Sequence, residues 1–177
     1  AACSQEGWHV TKASVSPAGD IPVGGGTYTV SLTGWGGYQV RAMSGSTVLT
    51  IKTDYTEVAN YSATLQIPTN TEAAVRTVTF QYRFKGTWTP IETRTQRAQK
   101  PSLKLNYSDC TDHCSSRGGI PSLDQLHDLN WDGWAPDAYW SSTTWNGNHQ
   151  RIYRWTEGYD GYESILSNKW ECRCTQD

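Results

Sequence analysis

Five cysteines carry the chemistry most readily read from this chain: Cys3 near its start, Cys110 and Cys114 four apart, and Cys172 and Cys174 two apart near its end. On a helix a spacing of four puts two thiols on one face, about 6 Å apart along the axis. On a strand a spacing of two does the same, about 6.6 Å apart. Two matched pairs suggest a helix stapled twice to a terminal strand. Four thiolates, or three with His113, are also a donor set for zinc. The spacings C-x3-C and C-x-C are not the usual zinc knuckles, however, and the rest of the chain points to an oxidising compartment, so disulfides are the expectation and no metal or other cofactor is assigned. Carboxylates offer a second chemistry. Asp132, Asp137, Glu157 and Asp160 fall on expected loops, and a glycosidase needs two carboxylates facing each other across a cleft. A chain this small rarely builds such a cleft. Asp132 with Asp137, and Asp160 with Glu163, therefore read as solvated loop carboxylates rather than catalytic or metal-binding pairs, and the chain is not expected to be an enzyme.

The elements that must position these residues fall into two halves. The chain has 177 residues, a length that suits two domains of about 80–100 residues. Residues 1–100 carry nine Lys/Arg and six Asp/Glu, a net +3, and residues 101–177 carry six and eleven, a net −5. The overall charge of −2 and the pI near 6.1 exclude an electrostatic case for nucleic acid or an anionic membrane. Nine Trp and ten Tyr against two Phe and one Met make a polar-aromatic palette suited to wet binding surfaces as well as cores. No apolar run is long enough to span a bilayer as a helix. The opening Ala-Ala-Cys resembles the end of a bacterial lipoprotein cleavage site, which makes Cys3 a lipid-anchor candidate. The alternative is a mature secreted protein with an unpaired Cys3.

In residues 1–100 every periodic stretch reads as strand: 8–15, 27–33, 38–43, 47–55, 61–67, 76–84 and 87–96, each bounded by turn formers such as Gly24-Gly25-Gly26, Gly34 with Gly36-Gly37, and Ser44-Gly45-Ser46. Seven short strands without helical periodicity predict an all-β, Ig-like sandwich. The only His here is the isolated His9, and no catalytic set gathers. The polar segment from Gln96 to Pro101 is the expected joint.

Residues 101–177 read differently. Ser108 is placed to cap a helix over about 109–117 that Gly118-Gly119 stops, and Ser122 with Gln125 forms a capping box ahead of Leu123, Leu126 and Leu129. A loop at 130–138 precedes strands at 139–145 and 149–156, joined by a tight turn at Asn146-Gly147, then strands at 162–166 and 169–175. Trp140 and Trp170 lie within strands and read as core. Trp131, Trp134 and Trp145 lie in loop or turn contexts where a ring can stay exposed for a sugar face or a partner. The expected ligand-binding set is Trp131, Trp134, Trp145, Asn146, Asn148, Arg151, Tyr153, Tyr159, Asp160 and Tyr162. Tyr and Trp supply contact area there, and Asn, Asp and Arg supply directional hydrogen bonds.

Two resemblances sharpen these expectations. Val15-Ser16-Pro17, GGGTYTVSLTG, PTNTEAAVRTVTF and the stretch Ile91 to Gln96 make residues 10–98 resemble the BACON and related Ig-like modules of gut-bacterial surface proteins, which implies a spacer or stalk. GGIPSLDQL, YWSST and the closing K-x-x-x-R-C make residues 104–177 resemble a bacterial C-type-lectin-like domain, nearest the "major paralogous" subclass of secreted Bacteroidetes proteins. That likeness implies an α+β head whose helix-1 Cys bonds the last-strand Cys, hence Cys114–Cys174 with Cys110–Cys172 as an added staple. The calcium-site strings of C-type lectins, Glu-Pro-Asn or Gln-Pro-Asp followed by Trp-Asn-Asp, do not occur, so any sugar recognition is expected to be calcium-independent. Formylglycine-generating enzymes share the wider fold but need a free reactive Cys pair, which paired staples remove. Retroelement-diversified receptor proteins also share it, and WNGNHQRIYRWTEGYDGYES has their residue palette.

The resulting expectation is two domains, 1–100 an Ig-like sandwich and 101–177 an α+β lectin-like head, forming a secreted or outer-surface binding protein whose partner is a glycan or a protein. The alternative is a structural assembly subunit such as a pilus tip or phage-surface component. An exposed polar-aromatic concavity favours the first. A flat apolar surface or an unpaired sheet edge favours the second.

Overall fold

The structure is a computed structural model that describes residues 7–177, and of residues 159–161 it describes the backbone alone. The Cys3 expectation and the side chains of Tyr159 and Asp160 lie outside the described residues. Two units divide the chain, Ala1–Gln99 and Lys100–Asp177.

The first unit is one five-stranded antiparallel sheet. Its strands are β1 (His9–Ser16), β2 (Gly26–Ser44), β3 (Thr47–Ile67), β4 (Arg76–Arg83) and β5 (Thr89–Gln96). The sheet order is β1-β2-β4-β5, with β3 paired to β2. The expected sandwich of seven short strands is therefore corrected: four of those stretches merge into two strands of 19 and 21 residues. The Gly34, Gly36-Gly37 stretch, read as a turn, lies inside β2, where the pairing with β3 shifts register twice. Gly34 holds φ +146°, and a Cβ there would sit 1.9 Å from the His9 carbonyl oxygen, so glycine lets β1 and β2 approach at a bulge instead of ending the strand.

The bent sheet curls around its own apolar face. Alternate residues Tyr28, Val30 and Leu32, then Tyr38, Val40 and Ala42, meet Tyr61, Ala63, Leu65, Ile67, Val78 and Phe80 in one buried cluster. Arg94 on β5 ties the two ends together, donating to the carbonyls of Val15, Pro17 and Gly19 at 2.8–2.9 Å. Gln96 is fully buried, and its amide donates to the carbonyls of Pro22, Val23 and Pro68, while its oxygen accepts from Arg76 Nε. A buried amide is tolerated here because its hydrogen-bonding groups are satisfied.

The second unit contains β6 (Lys104–Leu105), α1 (Tyr107–Cys114), α2 (Leu123–Asp128), β7 (Ala138–Asn146), β8 (His149–Arg154), β9 (Tyr159–Ile165) and β10 (Trp170–Glu171). Its sheet runs β6-β10-β7-β8-β9, with β10 parallel to β7. The cap of α1 is Asn106, whose side chain accepts from Asp109 N, and not Ser108. The capping box of Ser122 and Gln125 forms on α2 as expected. Cys172 and Cys174 lie just past β10 and not within a strand.

The α+β expectation for this half is also corrected. With 52% of the whole chain in strand and 8% in helix, the protein is mostly β with curled sheets. Both helices are short for stated reasons. Gly118 and Gly119, at φ +83° and +80°, stop the chain after α1, and Leu129 turns extended after α2.

Candidate functional site

Two disulfides, Cys110–Cys172 and Cys114–Cys174, fasten α1 to the closing segment. This is the pairing that the family resemblance implied. The cysteines are buried with Ala138, Trp140 and Ile152. Cys110, Cys114 and Cys172 lie within 4.8 Å of one another, but their sulfurs are consumed as disulfides and offer no thiolates to a metal. The cross-links suggest an oxidising, extracellular environment. No helix among the described residues is long and apolar enough to cross a membrane.

From that base the β7–β8 hairpin projects. Strand β7 bulges between Trp140 and Thr144. Ser141 fills the bulge, its hydroxyl donating to Arg151 O and its carbonyl accepting from Gln150 Nε2. Beyond it, Asn146 pairs with His149 across Gly147-Asn148, and Asn146 Oδ1 accepts from Asn148 N at 3.0 Å. The hairpin end is exposed: Trp145 keeps 50% of its surface in solvent, with the Arg151 guanidinium 4.1 Å above its ring. An indole held flat by a cation, beside the exposed amides of Asn146 and Asn148, presents an apolar face with hydrogen-bonding groups at its rim.

The other expected site residues separate from this patch. Trp131, Tyr139, Tyr153 and Trp155 form an aromatic stack over α2: Trp131 and Trp155 lie parallel at 6.1 Å, and Trp131 and Tyr139 are 4.6 Å apart. Trp131 Nε1 donates to Leu126 O, and Trp155 Nε1 to Ala135 O. Tyr153 is only 5% exposed and stacks on His127. Trp131 and Tyr153 are therefore packing residues: Tyr153 points from β8 into the cluster with Leu123 and Leu126, and Trp131, from the loop at 130–138, packs against it. Burial also pushes the Tyr139 hydroxyl far above its usual pKa, so it stays a donor to Ala135 O. Tyr162 donates to the Glu157 carboxylate, with Arg154 over its ring.

One residue central to the stack was not singled out from the sequence. Arg173 is buried, and its guanidinium lies 4.6 Å from the Trp131 ring and 4.1 Å from the Trp134 ring, with Nη1 donating to Asn130 O at 2.7 Å. Burial lowers its pKa below the usual arginine value, with Asp177 pulling the other way. Its position between Cys172 and Cys174, both cross-linked, was the available signal, since it marks a segment fixed in the packed base.

Trp134 does not join the hairpin patch either. It lines a cleft with Lys100, Leu103, His113, Arg117 and Asp177. Asp132 is half-buried in the loop before it, and Asp137 is ion-paired to Lys104 at 2.8 Å. The carboxylates weighed for glycoside hydrolysis thus serve as local braces where their partners are described. No family model, curated protein or solved structure matches the chain.

Proposed function

We propose that the protein is a secreted or surface-attached binding protein that recognises a glycan or protein partner, calcium-independently and without catalysis, through the β7–β8 hairpin of the second unit. One observation carries the reading: an exposed Trp145 with Arg151 stacked on it, on a hairpin whose base is pinned by disulfide-linked packing. Exposed tryptophans beside arginine are the residue types that dominate recognition surfaces. The first unit acts as a stalk; its Trp88 also lies under arginines, Arg41 at 4.0 Å and Arg83 at 4.4 Å, but is half-buried between them where Trp145 is exposed. The kinship read from GGIPSLDQL and YWSST enters as a proposal resting on those motifs, without the α+β class it implied. A glycan array with the full chain is the direct test. A ligand that emerges should bind Trp145→Ala at least about 1 kcal/mol more weakly, the threshold for a meaningful contact, with the melting temperature unchanged. Undiminished binding by that variant moves the site elsewhere.

A second reading, an assembly subunit of a pilus tip or phage surface, is favoured by a different observation. Among the described residues β3 pairs only with β2, so its outer edge is open, and Val48, Ile51, Tyr55 and Val58 are exposed along it. Open edges accept strands from neighbouring chains. Under this reading sedimentation shows concentration-dependent association that Ile51→Lys removes; a concentration-independent monomer rejects edge pairing with itself.

A further inference from the structure

The cleft around Trp134 lies wholly within the second unit and away from the hairpin patch in its residues. Its volume, about 360 Å³, falls at the lower end of small-ligand pockets. That size suits a single ring better than a chain of rings. The walls are held by hydrogen bonds from main-chain amides. Lys100 N donates to Gly133 O at 2.9 Å, Leu103 N to Glu171 Oε2 at 2.9 Å, and Cys172 N to Leu103 O at 2.9 Å. On the opposite side Arg117 N donates to Cys114 O, and Gln176 N to Arg117 O. The Cys110–Cys172 disulfide ties the helix side to the strand side. A cleft framed in this way needs little ordering to accept a ligand, and pre-organisation raises affinity by removing that cost.

The chemistry of the lining is specific. Trp134 is half-buried, and its ring is held by the Arg173 guanidinium 4.1 Å away, so it cannot swing out to fill the space. Lys100 Nζ lies 5.6 Å from the same ring, and among the described residues it has no ion-pair partner. Arg117 is more than half exposed, and a single contact of 3.4 Å to Asp177 occupies one of its terminal nitrogens. The rest of its donor fork remains available, and that fork is shaped for a carboxylate. Lys100 and Arg117 against Asp177 leave one net positive charge among the lining side chains. One uncompensated positive charge matches a monoanion; a phosphate dianion would meet the Asp177 carboxylate.

We infer that this cleft binds a small molecule carrying one carboxylate on a six-membered ring, with the ring laid against Trp134 and the carboxylate between Lys100 and Arg117. A uronic acid and an aromatic acid share that chemistry. This site is independent of the hairpin reading and does not need it to hold.

The test uses the full chain, following tryptophan fluorescence and calorimetry with sodium glucuronate and sodium benzoate, and with glucose and benzamide as uncharged counterparts. At least one acid should bind saturably by millimolar concentration, and its uncharged counterpart at least tenfold more weakly. Preference for glucuronate identifies a sugar acid, and preference for benzoate an aromatic acid. Lys100→Gln and Arg117→Gln should each weaken the acid at least fivefold while melting as the parent does, and Trp145→Ala should leave it unchanged. Saturation by neither acid, equal binding of an acid and its uncharged counterpart, or parental affinity in Arg117→Gln overturns the inference.

Discussion

Asp137 shows how a single residue changes meaning between sequence and structure. In the sequence it is a loop carboxylate, available for a catalytic pair or for solvent. In the fold it stands just before β7, receiving Lys104 Nζ at 2.8 Å, Ala138 N at 2.7 Å and Arg154 Nη1 at 3.8 Å. It thereby braces β6, β7 and β8. The hydrogen bond from Lys104 is the first cause that holds its carboxyl below the usual carboxylate range, and the Ala138 amide and Arg154 add to it. A carboxylate with a depressed folded pKa stabilises above its unfolded value, near 3.9, and that stability is lost as the pH falls through the folded value. Asp137→Asn should therefore cost about 1 kcal/mol at neutral pH, a charge-assisted bond discounted for partial exposure. The difference from the parent should shrink once the pH drops below about 4. Urea melts across that range check this; a constant difference at all pH values would mean that packing, not charge, is at stake. Spacing along the chain could not show it, because Lys104 and Arg154 lie 33 residues before and 17 after.

At the scale of elements, the strand periods were legible, and the breaks between them were not. Alternation in WHVTKASV, TYTVSLT and RTVTFQYRF marks β1, part of β2 and β4 correctly, because the side-chain period of two survives wherever one face is buried. Glycine was the ambiguous signal. The same residue ends a strand in a turn or bends it at a bulge, and only the neighbouring backbone decides between these. At Gly37 a Cβ would lie 2.4 Å from the Tyr55 carbonyl carbon, and at Gly34 1.9 Å from the His9 oxygen, so both are close approaches at register shifts inside one strand. Gly34→Ala adds a backbone conformation that side chains disfavour to that clash and should destabilise the first unit by about 1–3 kcal/mol. Ala substituted at Gly45, a hairpin turn with nothing within 4 Å, lacks the clash and should cost less. Equal losses in the two variants would show that conformation alone, not the approach of β1, is what glycine supplies at position 34.

At the scale of the whole molecule, the described disulfides lie in only one of the two units. Each closes a loop of about sixty residues and should add about 2–4 kcal/mol. Calorimetry of the intact chain is expected to show two transitions, of which a reductant lowers one and leaves the other in place. Labelling the unfolded, unreduced chain should find a free thiol at Cys3 at most. A single transition that moves as a whole on reduction would mean that the two units unfold as one body, and four reactive thiols would remove the staples.

What the sequence determined by itself was local. The spacing of four between Cys110 and Cys114 put both thiols on one face of α1, and the Ser122–Gln125 box set the start of α2. Alternation placed the strands, because each of these depends on residues within one or two turns of one another. Tertiary structure decided what depended on distant chain. It joined four strand stretches into β2 and β3, and so made one curled sheet where two stacked sheets were expected. It turned Trp131 and Tyr153 inward against α2, left Trp145 outside, and set Trp134 in a cleft with Lys100 and Arg117. A tryptophan in a loop carries the same local signal in all three situations. Whether its ring is buried depends on what packs against it, and for Trp131 and Trp134 that includes Arg173, some forty residues away and next to the cross-linked Cys174.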